Sequence, residues 1–302
     1  MKRLSLACLA CLVFLVPARA QTPELQARIN TGLFVMRLQT PDGGFVNEPP
    51  DPKENRIPKG SLRATSSAIR ALKYLGSDLP KADKVKEFVA SCFHKESGGF
   101  ADKPGGQPDV FSTAVGLMAV VELGMPAEPY HAAAVKYLNE NAKTFDEIRI
   151  AVAGLEAVKA EATKKKEWLA EADKLRIPER GDQYDNGHGR ALASKLVTQF
   201  RLGVPADKQK FQAELGLLKR DQRPNGGWGK DDSPKSDLET SYRVMRCFMM
   251  LKERPAHVDA LVNFIHKCRN EDHGYSVAPG QNSSISGVYY AAIIMHWLDE
   301  KK

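Results

Sequence analysis

Apolar positions recur along the chain with a helical period, and the pattern is interrupted at regular intervals by one kind of loop. Gln39 leads through Thr-Pro-Asp-Gly-Gly to Phe45, His94 leads to Phe100, Gln222 through Arg-Pro-Asn-Gly-Gly to Trp228, and Arg269 to Tyr275. The shared spacing is a polar residue, a Gly-containing turn and an aromatic side chain that anchors the loop. Breakers mark the helix ends: Leu75-Gly76 before Pro80, Leu123-Gly124 before Pro126, Leu202-Gly203 before Pro205. Start signals agree, with Thr144 and Glu147, and Ser236 and Glu239, spaced as capping boxes, and with Asp109 after Pro108 as an N-cap. The spacing predicts helices over 24–39, 61–76, 82–93, 109–124, 128–141, 145–160, 164–175, 187–203, 206–220, 237–252, 255–268 and 283–299.

Twelve helices make six hairpins, with no strand-like alternation between them. The second helix of a pair is the more apolar, as in Val110–Leu123 and Val288–Trp297, and a helix apolar all round must be buried on every side. A closed ring meets that requirement. The expected fold is therefore all-α: an (α/α)6 toroid of six helical hairpins, with an apolar inner barrel and amphipathic helices such as 81–93 outside. An open solenoid is the alternative, but its ends would need polar caps, and the last segment is apolar through Trp297.

The first twenty residues change the picture at one end. Lys2 and Arg3, the apolar run Leu4–Val16 and the small-residue finish Ala18-Arg19-Ala20 have the order of a secretory signal. The expected organisation is a signal peptide over 1–20 and one toroid domain over 21–302, secreted or periplasmic after cleavage; acylation at Cys11 is the other processing route. The remaining chain has no stretch apolar enough for a transmembrane segment. Losing three cations lowers the formal charge from +7 to +4, and the other basic residues are scattered among acids, so no nucleic-acid footprint is present. Cys92, Cys247 and Cys268 remain, an odd number that argues against a disulfide framework.

The units LQTPDGGF, KRDQRPNGGWG and FVASCFHKESGGFADKPGGQPDVFSTA resemble the repeat of the prenyltransferase and squalene-cyclase family, which includes terpene cyclases and protein prenyltransferase beta subunits. The likeness spans nearly the whole mature chain, with degenerate units over about 128–203. It implies the toroid and an isoprenoid in its hollow. In the protein prenyltransferases an Asp, a Cys two residues on and a later His hold zinc. Asp109 matches that Asp and Lys103 the first diphosphate cation, whereas Gly106 stands for the second cation, Phe111 for the cysteine, and Asn282 to Ser286 for the His segment. One ligand of three is too few for zinc, so no metal and no cofactor are expected. Asp109 also reads as the N-cap of its helix. The cyclase acid motif has its nearest counterpart in Asp237-Leu-Glu239-Thr, one carboxylate short.

In a ring of hairpins all the inner helices start at one end, and their first turns surround a single mouth. Residues offered there include Arg63, Asp109, Asp146, Arg149, Asp185, His188, Arg190, Asp237, Glu239 and Ser284. The candidate catalytic residues are Asp109, Asp237 and Glu239. The candidate ligand-binding residues are Lys103 and Phe111, together with Asp185, His188 and Arg190 of the segment 181–190, where a His beside a carboxylate suits a base and an Arg suits an anion. A polar structural loop is the other reading of that segment. The functions these features allow are an exported toroid that binds a hydrophobic, isoprenoid-like molecule or a protein partner, an active prenyltransferase or terpene cyclase with a divergent site, and a carbohydrate-active (α/α)6 barrel using Asp146 and Asp237 as opposed carboxylates.

Overall fold

A computed structural model describes residues 22–51, 53 and 57–300. The expected signal over 1–20, with Cys11, lies outside them. Twelve helices run along the described chain in six pairs: α1 (Pro23–Arg37) and α2 (Leu62–Leu75), α3 (Ala82–Ser91) and α4 (Val110–Glu122), α5 (His131–Asn141) and α6 (Phe145–Ala157), α7 (Lys165–Asp173) and α8 (His188–Arg201), α9 (Gln212–Arg220) and α10 (Leu238–Met250), α11 (Val258–Lys267) and α12 (Ile285–Asp299). Among these residues extended backbone is confined to isolated bridges within the loops, such as Gln39 with Phe45 and Arg269 with Tyr275.

The even-numbered helices each pack on the next, α2 on α4 and so on to α12, and α12 packs back on α2. That last contact makes a ring. The repeated loops show how it closes. In each, the second glycine is pressed by an aromatic side chain of the following outer helix: Gly44 by Phe88, Gly99 by Tyr137, Gly227 by Phe264. In the last loop the partner of Gly274 is Phe34, on α1. Backbone bonds repeat the message, since Leu62 donates to the Asp102 carbonyl at 2.7 Å, Leu238 to that of Val277 at 2.8 Å, and Ile285 to that of Asn47, in the first unit, at 2.8 Å.

The loop aromatics Phe45, Phe100 and Trp228 are fully buried, each with its backbone N–H donating to a hydroxyl one turn inside an inner helix: Thr65, Thr113 and Ser241. Five inner helices begin with a side-chain cap, from Ser61, Asp109, Thr144, Asp237 and Ser284, and Thr144 with Glu147 forms a full capping box. The cap of α10 is Asp237 where the sequence suggested Ser236. The Ser236 hydroxyl is instead bound to Asn225 at 2.8 Å, which ties the repeated loop to the helix start. The outer helix α9 starts at Gln212, six residues later than its apolar spacing predicts, because Asp207 takes the Gln209 N–H and holds a separate turn ahead of it.

Candidate site in the axial hollow

A cavity of about 570 Å³ runs along the ring axis. It is reached by one repeating stripe on the inner helices, at i, i+4, i+7 and i+11 from the second helical residue: Arg63, Ser67, Arg70 and Tyr74 on α2, and Phe111, Val115, Met118 and Glu122 on α4. The stripe continues with Ile150, Ala153 and Ala157 on α6, with Ser194, Val197 and Arg201 on α8, where it starts one residue later, and with Glu239, Arg243 and Arg246 on α10. The inner helices are apolar where they touch one another and the outer layer. The hollow they enclose is different, for six arginines line it against three glutamates, Glu122, Glu156 and Glu239.

The apolar side chains gather on α4 and α6, beside Glu122, Arg149 and Glu156 of the same two helices. The α4 and α6 wall presents Phe111, Val115, Met118, Val121, Ile150 and Ala153. Opposite stand Tyr242 and Arg246 of α10 and Tyr289 and Tyr290 of α12, with Arg70 of α2 between the two sides, its guanidinium 3.6 Å from the Met118 sulfur. Arg70 donates to the Tyr289 hydroxyl at 3.1 Å with its guanidinium 4.4 Å from that ring's centre. Arg246 donates to the Tyr242 hydroxyl at 3.1 Å and lies 4.6 Å from the centre of the Trp297 ring; its Nε is buried with no hydrogen-bond partner. The two phenol oxygens are 3.2 Å apart. Among the described residues neither Arg70 nor Arg246 has a carboxylate within ion-pair reach, whereas Arg201 is held by Glu156 at 2.8 Å and Arg243 by Glu239 at 2.6 Å. At the mouth the hollow continues into a polar recess bounded by Asn47, Glu239, Ser284, Ser286 and Tyr290.

Of the sequence-derived candidates, Phe111 and Glu239 line the hollow, as do Arg63 and Arg149 of the mouth set. Glu239 is surrounded by Arg243, Lys230 and Arg190; burial pushes its carboxyl up, but these cations outweigh it and hold it down at about 2. It is a permanent anion, unsuited to giving up a proton to an alkene. Asp237 uses one oxygen for the Thr240 N–H and the other for the Thr240 hydroxyl, both at 2.8 Å. Asp109 is built alike: it caps Ser112 and takes Arg63 on both oxygens, at 2.9 and 3.0 Å, while that guanidinium stacks on Phe111. Lys103 is exposed in its loop, away from the lining of the hollow.

The segment 181–190 divides. Asp185 is buried, with one oxygen on the Gly189 N–H at the uncapped start of α8 and the other on Arg223 at 2.9 Å. His188 bonds Asp221 at 2.6 Å, and Arg180 meets the other oxygen of that carboxylate. Burial, with Arg180 beside it, holds the His188 imidazole below its usual range, and its Nδ1 faces the Asp221 carboxylate. These two residues pin the segment to the Trp228 loop; neither lines the hollow, and Arg190 alone turns to the mouth, reaching Glu239 at 3.3 Å.

Zinc does not fit here. Both Asp109 oxygens are engaged, Phe111 has no donor atom, and among the described residues no three His, Cys, Asp or Glu side chains converge. The cysteines Cys92, Cys247 and Cys268 are buried free thiols, pushed up to about 12 by burial. Among the described residues no helix is long and apolar enough to cross a membrane.

Sequence reasoning missed Arg70, Arg201, Arg243 and Arg246. The signal was present: arginine recurs seven residues apart on α2, eleven on α8 and three on α10, helices that the ring topology buries.

The sequence profile of the prenyltransferase alpha-alpha toroid domain matches residues 4–85, 67–148 and 148–302. No curated protein sequence matches the chain. Among solved structures, the type II terpene cyclase MstE from Scytonema superposes with a TM-score of 0.62 at 11% identity, over 92% of this chain and 97% of that one. A complex of a variant of that cyclase with the substrate geranylgeranyl dihydroxybenzoate gives 0.60 at 11% identity, over the same shares. A glycosidase in complex with glucose gives 0.59 at 14% identity, again over 92% and 97%.

Proposed function

The chain belongs to the prenyltransferase alpha-alpha toroid family, and we propose that it acts after export as a binding protein for an amphiphilic anion, an isoprenoid-type chain carrying an acidic head, held in the axial hollow. One observation carries the reading. Arg70 and Arg246 face the hollow with phenols as their partners and no carboxylate. A guanidinium drawn out of bulk water is costly without a counter-charge, and a ligand acid or phosphate supplies one. The apolar wall of Phe111, Val115, Met118 and Ile150 then suits the chain of the same molecule. The hydrophobic, isoprenoid-like ligand expected from the sequence is thereby given a charged end. The geranylgeranyl dihydroxybenzoate of the Scytonema cyclase, an isoprenoid with an acidic head, has the same two-part chemistry.

A binding role is favoured over catalysis by the state of the acids. Asp109 and Asp237 are committed as helix caps, Glu239 is held ionised, and Asp146 is exposed and paired with Arg149 at 3.3 Å, which leaves the carbohydrate-active reading without its opposed carboxylates. Titration calorimetry with farnesyl phosphate and farnesol tests the proposal. Farnesyl phosphate should bind, farnesol more than tenfold more weakly, and Arg70→Met or Arg246→Met should each weaken the phosphate by about tenfold or more, the worth of one charge-assisted hydrogen bond. Equal affinity for the alcohol, or variants that bind as wild type does, would refute it.

A further inference from the structure

An anion site, which is the reading this inference rests on, needs something to balance its guanidinium groups when it is empty. Tyr242 stands among them. On its own helix α10, Arg246 donates to the Tyr242 hydroxyl, while Arg243 is committed to Glu239. From α12, the Tyr289 hydroxyl is 3.2 Å from that of Tyr242, and the Tyr290 ring lies 5.2 Å away, centre to centre. From α2, Arg70 faces the pair by way of Tyr289, with Tyr74 beyond it. Arg201 of α8 and Arg149 of α6 add positive charge, each with its own acid, Glu156 and Asp146. Among the described residues no carboxylate hydrogen-bonds either phenol.

Burial by itself pushes the Tyr242 phenol up, but Arg246, Arg70, the Tyr289 hydrogen bond and Arg201 together outweigh it and bring the group down to about 7. Tyr289 is pushed up by its own burial and keeps its proton, so it is the donor in the pair. Two phenols in contact lose one proton between them, and the position of the arginines decides that Tyr242 is where the charge rests.

We propose that Tyr242 is the resident counter-ion of the hollow: its phenol releases a proton to solvent when the hollow is empty and recovers one when an anionic ligand reaches Arg70 and Arg246, so that ligand binding consumes a proton. The tyrosinate and the ligand compete for the same guanidinium groups. Linkage then requires the affinity for an anion to fall with rising pH, by about tenfold per unit once Tyr242 is ionised, and to be independent of pH where the phenol cannot ionise.

The test needs two readouts on the purified protein. The first is a near-ultraviolet titration without ligand. Wild type and Tyr130→Phe, a change outside the hollow, should gain a tyrosinate band with a midpoint at about pH 7, and Tyr242→Phe should not, with thermal melts reporting that each variant is folded. A band that survives Tyr242→Phe, or none in wild type, overturns the proposal whatever the ligand results. The second adds sulfate, an anion that does not itself titrate in this range, and farnesyl phosphate at pH 8. Either should bleach the band, and calorimetry in buffers of different ionisation enthalpy should show proton uptake in wild type and none in Tyr242→Phe. Binding of farnesyl phosphate with the band unchanged overturns the coupling and leaves the binding role standing. No binding of either anion overturns both.

Discussion

Single residues in this protein are decided by what counter-charge the ring brings to them. The Asp185–Arg223 pair, 2.9 Å apart and almost fully buried, holds the start of α8 against the Trp228 loop. Removing one partner strands the other charge, so Arg223→Met should lower the unfolding free energy by about 3–5 kcal/mol in urea titrations. Tyr242 gives a stability term of the opposite kind. Its folded value of about 7 lies below the unfolded phenol at about 10, so the folded state releases the proton first. Its stabilisation is therefore complete above pH 10, builds between 7 and 10, and is lost as pH falls through 7. The melting temperature of wild type relative to Tyr242→Phe should rise over that interval; a difference constant from pH 6 to 10 would contradict it. The residues named from the sequence were read at the helix starts, and most prove to be caps and braces there. Arg70, Arg201, Arg243 and Arg246 went unnoticed because charge on a helix is ordinarily solvent-facing, and only closure turns that face inward.

At the scale of elements, boundaries were the most legible feature, because caps and breakers act over three or four residues. Thr144→Ala removes the side-chain half of the α6 capping box and should cost about 1 kcal/mol by chemical denaturation. The repeated loops were legible for the same reason, and their first glycine is a backbone requirement. Gly226 has φ +91°, and a Cβ there would lie 2.1 Å from the Ala260 carbonyl carbon on α11. Gly226→Ala should thus lose more than the 1–3 kcal/mol usual for left-handed strain alone, whereas Gly280→Ala, at φ +81° with open space around it, should lose only that strain. What the element scale concealed was the face each inner helix turns to the axis. The helix α10 reads as amphipathic with a polar side; whether that side meets water, a neighbour or a ligand depends on where its partners stand.

The whole molecule depends on its last contact. α12 packs on α2, Gly274 receives Phe34, and Ile285 donates to Asn47, so first and last units complete each other. A solenoid would tolerate loss of its terminal repeat, since each unit leans only on its neighbours. A ring cannot. Deleting residues 255–302 exposes the apolar faces of α2 and α10 together and should abolish cooperative thermal unfolding, whereas an open array would retain a single transition at lower temperature. Gly274→Ala, whose Cβ would lie 2.7 Å from the Phe34 ring, is the point-mutation form of the same experiment.

Six helix pairs, most of their boundaries and the need for their apolar faces to close were legible in the chain before folding, since periodicity, capping and turn chemistry are local and written within a few residues. What the ring encloses was set by long-range packing. Arg70, Tyr242, Arg246 and Tyr289 lie on three different helices, up to 219 residues apart, and become one charged wall through ring closure alone. A guanidinium reads the same in a sequence whether water or a phenol neutralises its surroundings, and its chemistry is set by the neighbours that the fold supplies.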